Sequence, residues 1–283
     1  MRIISSVVEM QEYVLAAREH GRSIAFVPTM GFLHQGHMSL LNAGRQNCDL
    51  LVLSIFVNPI QFGQGEDFDS YPRDLSRDAK LAETTGVDII FAPTAEQMYP
   101  QGYATTIHID KLTENLCGAT RPSHFDGVTT VVTKLFNIVQ PQLAYFGMKD
   151  FQQLAVIQQM VRDLNMPIDI VGMPIVREAD GLAMSSRNNY LTPELRQQGL
   201  ALVDSIRSVI AQAKNGERTA AELIEIVRQR ITQEVDAKID YIQICHDQTL
   251  QDMTTIDEHA VLLLAVRFGA TRLIDNHYLL KAL

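Results

Sequence analysis

A chain of 283 residues can bury one large core or two modest ones. It is 46% hydrophobic and 20% charged, the balance of an ordinary globular protein, and its formal net charge of −9 argues against nucleic acid as a partner, because duplex binding needs a concentrated basic face. The three cysteines, Cys48, Cys117 and Cys245, form no CxxC pair, so neither a disulfide framework nor a zinc knuckle is indicated and a reduced, cytoplasmic setting is expected.

The N-terminal MRIISSVVEMQEYV lacks an apolar core followed by a small-residue cleavage site, so no signal peptide is expected. Val7, Met10, Val14, Leu15 and Ala17 predict a helix over 7–20, stopped at Gly21. SIAFVP reads as a buried strand, 36–46 as a helix, 50–57 as a second strand, 74–85 as a helix opened by Pro72 and closed by Gly86, and VDIIFAP as a third strand. TTIHID is expected as an edge strand, 127–139 as a helix, QLAYFG as a strand, 151–164 as a helix and IDIVGMPIV as a strand. Strands alternating with helices, and lacking polar alternation, predict a doubly wound parallel α/β sheet over 1–176.

The pattern changes after READGLAMSSRNNYLT. Thr192-Pro193-Glu194 opens a long helix expected to run to Lys214, with Asn215-Gly216 as its stop. Thr219 and Glu222 predict a capping box for the next helix. DYIQIC, AVLLLAV and TRLID read as strands. A smaller α+β C-terminal domain over 177–283 is the expectation, joined through ADGLAMSSRN. The apolar runs LLVLSIFV and AVLLLAV are too short to cross a bilayer, so no membrane partner is expected.

Ligands of doubly wound sheets sit outside the carboxyl ends of the strands. His34-Gln35-Gly36-His37 falls there, between the first buried strand and a helix N-terminus that offers unpaired N–H groups to phosphate. Gly36 permits close backbone approach, and each imidazole can donate to phosphate oxygens. A turn-capping role and a metal pair are the alternatives, though no third metal ligand is obvious. Asn58 and Gln61 end the second strand and suit hydrogen bonding to a small polar substrate. Gly147, Lys149 and Asp150 occupy another strand-to-helix junction, with Gln153 one turn on; Asp150 is an equal candidate for a helix cap. Met184, Ser185, Ser186 and Arg187 have the composition of a phosphate clamp or of a plain polar linker. Arg121 and His124 are ambiguous in the same way, and Cys117 is expected to pack. Together these loops point to ATP or another polyphosphate and leave the acceptor open.

PTMGFLHQGH, SIFVNPIQF, RPSHFDGV, FGMKDFQQL and DGLAMSSRNNYL occur in the order of the blocks of the pantothenate synthetase (pantoate–β-alanine ligase) family, and the chain resembles that family over nearly its whole length. The family belongs to the Rossmann-like HxGH nucleotidyltransferases. The resemblance implies ATP-dependent condensation of pantoate with β-alanine through a pantoyl adenylate, with Mg2+ carried chiefly by ATP, in a homodimer. It implies ATP contacts from Thr29, Met30, Gly31, His34, Gly36, His37, Gly147, Lys149, Asp150, Val176, Met184, Ser185, Ser186 and Arg187. His37, His34, Lys149, Arg187 and Ser185 would act on the reacting phosphates; Gln61, Gln153 and Asn58 would hold substrate. Met148 departs from the pattern, because the family usually carries an acidic residue there. A related nucleotidyltransferase and a non-catalytic nucleotide-binding regulator are the competing readings; a tRNA synthetase is disfavoured by the acidic balance.

Overall fold

The computed structural model describes residues 1–281. A short strand, β1 (Arg2–Ile4), precedes α1 (Val7–Glu19), which Ser6 caps by accepting from the Glu9 N–H at 3.3 Å. Next come β2 (Ile24–Thr29), α2 (Gln35–Gln46), β3 (Leu50–Ile55), α3 (Leu75–Thr84), β4 (Ile89–Phe91) and the single turn α4 (Ala95–Met98). The short α5 (Leu116–Thr120) and long α6 (His124–Val139) lead to β5 (Leu143–Gly147), α7 (Phe151–Asp163) and β6 (Asp169–Met173).

These six strands form a parallel sheet in the order β1-β4-β3-β2-β5-β6. Phe26 of β2 stands opposite Val52 of β3 and Ala144 of β5. Packing buries both faces of these strands, which explains why β2 and β3 read as unbroken apolar runs. From β2 the chain steps one way through β3 to β4, then crosses back to place β5 and β6 on the other side of β2. Their carboxyl ends therefore part to leave a crevice, the usual ligand position in such sheets.

The remainder comprises α8 (Pro193–Gly199), α9 (Ala201–Lys214), α10 (Ala220–Ile231), β7 (Ala237–His246), β8 (Ala260–Phe268) and β9 (Thr271–Tyr278), the strands forming an antiparallel sheet in chain order. The run AVLLLAV lies in its central strand. Val261 and Leu263 join Cys245 and Tyr278 in the core that also holds Phe26, Val52 and Ile157 of the parallel layer. Leu262, Leu264 and Val266 point the other way, onto Leu202 and Ile206 of α9 and Leu223 and Val227 of α10. Alternate side chains of one strand thus bury in two cores, and the first core is shared with the parallel layer. Among the described residues no helix is long and apolar enough to cross a membrane.

Four local expectations are corrected, and one strand is new. β1 was not foreseen. Residues 105–110 form no strand: the Ile107 N–H donates to Thr130 Oγ1 at 2.9 Å and its carbonyl accepts from Thr129 Oγ1 at 2.6 Å, so hydroxyls of α6 satisfy the backbone in place of a ladder. α6 begins at His124, three residues before Gly127. The helix expected to run to Lys214 breaks at Leu200, whose N–H turns back to Gln197 at 3.3 Å after the poor helix former Gly199. Thr219 makes no side-chain cap; the Glu217 carboxylate accepts from the Arg218 and Thr219 N–H groups at 2.7 and 2.6 Å instead.

Candidate active site

The two histidines at the mouth of α2 cap it reciprocally. His34 is the N-cap residue, and its Nδ1 accepts from the Gly36 N–H at 3.1 Å; His37 Nδ1 accepts from the His34 N–H at 3.2 Å. This is a capping box built from imidazoles. The rings lie 4.1 Å apart between centroids. A Cβ on residue 36 would sit 2.9 Å from the His34 ring, so glycine is required for the pair to close. Because both Nδ1 atoms accept, both Nε2 atoms carry the proton and are the donors left for a ligand. Capping and lining the crevice are thus properties of the same two side chains.

Electrostatics keep them neutral. Burial, then the Lys149 charge, lowers His34 to about 4; burial, then the charges of His34 and Lys149, lowers His37 to about 3. The unfolded chain takes up these protons near the ordinary imidazole value of 6.5 while the folded chain resists, so stability falls as pH drops from about 6.5 toward 4. His37→Gln is therefore expected to flatten the pH dependence of urea unfolding over that range. An identical slope in both proteins would contradict the buried neutral imidazole.

What holds the histidine loop in place is Asp78 of α3, a side chain 1% exposed. Its carboxylate accepts from the Phe32 and Leu33 N–H groups, both at 2.7 Å, and Arg77 approaches it at 3.2 Å. Arg77 also donates to the Leu33 carbonyl at 2.9 Å and lies over the Phe32 ring. Phe32 has a φ of 51°, left-handed backbone that needs such support.

The opposite wall comes from α6. Val128, Val131, Val132 and Leu135 recur at helical spacing and face the crevice beside Phe56. Gln61 lies next to this apolar stripe. Its Oε1 accepts from Asn58 Nδ2 at 3.0 Å, and its Nε2 reaches only the weak acceptor Met30 Sδ at 3.3 Å, a bond easily exchanged. Asn58, 1% exposed, is fully engaged: Nδ2 also donates to the Gly127 carbonyl at 3.0 Å, and Oδ1 accepts from Tyr99 at 2.8 Å. It orients Gln61. α6 can come this close because residue 127 is glycine; a Cβ there would lie 2.6 Å from Gln61 Cα.

The β5–α7 turn supplies Gly147, Lys149 and Asp150, and Gln153 follows on α7. Asp150 makes no side-chain cap for α7. Asn276 of β9 pins the turn by donating to the Met148 and Lys149 carbonyls, each at 2.9 Å. Met148 packs against the core and is not among the lining residues. Gln152, beside Gln153, is structural, holding the Cys117 N–H and the Leu112 and Asn115 carbonyls at 2.9 Å each.

Met184, Ser185, Ser186 and Arg187 close the crevice. Ser185 Oγ accepts from the Arg187 N–H, and Ser186 Oγ donates to the Phe32 carbonyl, each at 3.3 Å. The Arg187 guanidinium forks onto Asp67 at 2.8 and 2.9 Å and lies over the Tyr71 ring. Arg121 pairs likewise with Glu66 at 2.6 and 2.7 Å and meets His124 at 2.9 Å. Against burial, which pushes it up, Arg121 holds the Glu66 carboxyl down to about 2. Burial and the Arg121 charge lower His124 to about 4, and its Nδ1 lies 2.9 Å from the Gln61 carbonyl.

Of the residues singled out from the sequence for ATP or substrate, all but Gly31 line this one crevice, Thr29 and Val176 included. Arg121 and His124 border an adjoining cleft that also touches Lys149 and Arg187. Asp78, Asp67, Tyr71, Asn276 and the α6 stripe were not foreseen. Cys117 is buried, as expected, with Tyr241 Oη 3.3 Å from its sulfur.

Residues 2–278 match the model of a family described as pantoate-beta-alanine ligase. Pantothenate synthetase of Syntrophotalea carbinolica is 58% identical over 281 residues, covering 99% of each chain, and that of Geotalea daltonii is 57% identical over 279 residues with the same coverage. The structure superposes on pantothenate synthetase of Thermus thermophilus with a TM-score of 0.94 at 45% identity, over 99% of this chain and 100% of that one. A Francisella tularensis pantoate-beta-alanine ligase, complexed with beta-gamma ATP and beta-alanine, gives a TM-score of 0.79 at 31% identity, over 100% of this chain and 99% of that one.

Proposed function

We propose, from the premise that this chain belongs to the pantoate-beta-alanine ligase family, how its crevice performs that reaction. The enzyme condenses pantoate with β-alanine at the expense of ATP. The observation that carries the site reading is that an apolar wall with an exchangeable amide, the α6 stripe and Gln61, stands across one crevice from His34, His37, Lys149 and Arg187. The first half suits a branched hydroxy acid and the second a polyphosphate.

In our reading the reaction has two displacements. A pantoate carboxylate oxygen attacks the α-phosphorus of ATP; the bond to the bridging oxygen breaks and pyrophosphate leaves. The β-alanine amine then attacks the acyl carbon, the bond to the AMP oxygen breaks, and the nitrogen loses a proton. A carboxylate needs no base to attack, so His34 and His37 serve as neutral Nε2 donors to charge developing on phosphate. Lys149 and Arg187 offset the repulsion between carboxylate and triphosphate. Asp67 must release Arg187 for this. Gln61 and Gln153 hold pantoate, Asn58 acting through Gln61. Asp150 would meet the ribose and Val176 the adenine. Magnesium enters as MgATP; Asp150 is the sole carboxylate among the described lining residues, so the triphosphate supplies most of its ligands.

Residues 1–176 carry the nucleotide and pantoate sites in this account, and 177–283 form the smaller body that closes over them. The setting is cytoplasmic. The family resemblance supports a homodimer, for which light scattering is expected to give twice the chain mass; a monomer at working concentration would overturn it.

Gln61→Ala is expected to raise the KM for pantoate by about 10-fold or more, the cost of one hydrogen bond to a charged or hydroxyl group, with little change for ATP. Equal losses for both substrates would contradict its place. The adenylate is tested by exchange of labelled pyrophosphate into ATP. Exchange with pantoate and without β-alanine is the expected result; exchange that requires β-alanine would rule out a free-standing first step.

A further inference from the structure

The small antiparallel sheet carries a second cluster of chemically capable side chains at one end. His246 closes β7, Asp247 follows it, and His259 stands immediately before β8. The Asp247 N–H donates to the His259 carbonyl at 2.9 Å, which brings the two turns together. None of the three lines the reaction crevice or its adjoining cleft.

Their donor atoms converge. Asp247 Oδ1 lies 3.1 Å from His259 Nδ1 and 3.5 Å from His246 Nδ1. One donor atom from each residue falls within 4.8 Å of the other two. The imidazole planes are 14° from parallel with centroids 4.7 Å apart, so the two rings stack beside the carboxylate and one must turn for both nitrogens to point at a common ion. Bonds of about 2.0–2.1 Å to a tetrahedral zinc place neighbouring donors roughly 3.3 Å apart. The two nitrogen-to-oxygen separations bracket that edge. Turning one ring about its side-chain bonds brings the two imidazole nitrogens, within 4.8 Å of each other at rest, onto a common ion.

The surroundings support the arrangement. Tyr278 Oη donates to Asp247 Oδ2 at 3.2 Å, fixing the carboxylate through its second oxygen. Such outer partners orient metal ligands. The Asp247 side chain is 9% exposed, while His246 and His259 are 30% and 41% exposed, leaving an entry path. The Gln248 N–H, which donates to His246 Nδ1 at 3.2 Å, would return to solvent.

We propose that His246, Asp247 and His259 bind a divalent transition ion of the zinc class, with water completing the coordination. Two imidazoles and one carboxylate favour such an ion over magnesium or calcium, which take oxygen donors. The ion ties the β7 and β8 ends together, and through Tyr278 the end of β9.

The test is titration of ZnCl2 into the chelator-treated full chain by calorimetry, with melting temperature as a second readout. One equivalent is expected to bind and to raise the melting temperature. His246→Gln and His259→Gln are each expected to weaken binding by more than ~10-fold, the lower end of the loss that even an outer partner's removal causes. Both should retain ligase turnover, which shows that they fold. Absence of binding in the unaltered protein overturns the proposal. So does binding that persists at full strength in both variants, which would place zinc elsewhere, such as on His34 and His37.

Discussion

His37→Ala is expected to slow pantoate-dependent pyrophosphate exchange by about 10²–10³-fold, the loss that follows removal of one preorganised donor at a developing anion, in a protein that still folds. The size follows from the site. His37 Nδ1 is occupied by the His34 N–H, the ring is neutral, and only its Nε2 proton remains for the ligand. A general base would be redundant, since the attacking carboxylate is already ionised at neutral pH. The loss should therefore appear in kcat more than in the KM for ATP, because a donor aimed at developing charge binds ground-state phosphate less well. The structural cost is small: the His34 N–H loses one capping partner, worth about 0.5–2 kcal/mol. A folded variant with unaltered exchange would remove His37 from the chemistry.

Asp78→Ala carries the largest expected effect on stability. It removes the acceptor of two loop N–H groups, those of Phe32 and Leu33, from a side chain 1% exposed. A buried donor left without a partner costs about 1–3 kcal/mol, so unfolding free energy should fall by roughly 2–5 kcal/mol. Activity should fall with it, because the freed loop carries His34 and leads into the helix that holds His37. Asp78→Asn keeps one acceptor oxygen and should fall between. The check is urea unfolding of the three proteins beside their exchange rates. An alanine variant within about 0.5 kcal/mol of the parent, the range of an ordinary surface substitution, would show that the loop stands without Asp78.

These two residues illustrate what could be read ahead. The histidine pair was legible because the strand, the turn and the helix start that display it are adjacent in sequence, and short-range patterns survive folding. The parallel sheet was legible for a similar reason, since its buried strands are unbroken apolar runs. Asp78 was not: it sits on a helix face that looks solvated, and only the crossing of α3 beneath the loop turns it inward. Asp67 and Asn276 act across 120 and 127 residues respectively, and no local spacing announces them. Met148 departs from the family's acidic pattern, yet its side chain packs against the core and the crevice-lining residues of that turn are its neighbours. Residues 105–110 had strand composition, but hydroxyls of α6 took their backbone groups. The double burial of β8 erased the alternation that usually marks an antiparallel strand.

If one crevice joins ATP, pantoate and β-alanine in a single condensation, AMP and pantothenate must form together. The most direct measurement follows AMP and pantothenate together, with MgATP present and pantoate and β-alanine added singly or jointly. Equal amounts of AMP and pantothenate are expected, and neither product in quantity until both pantoate and β-alanine are present. AMP release indifferent to pantoate, or turnover only with some other acceptor, would contradict it.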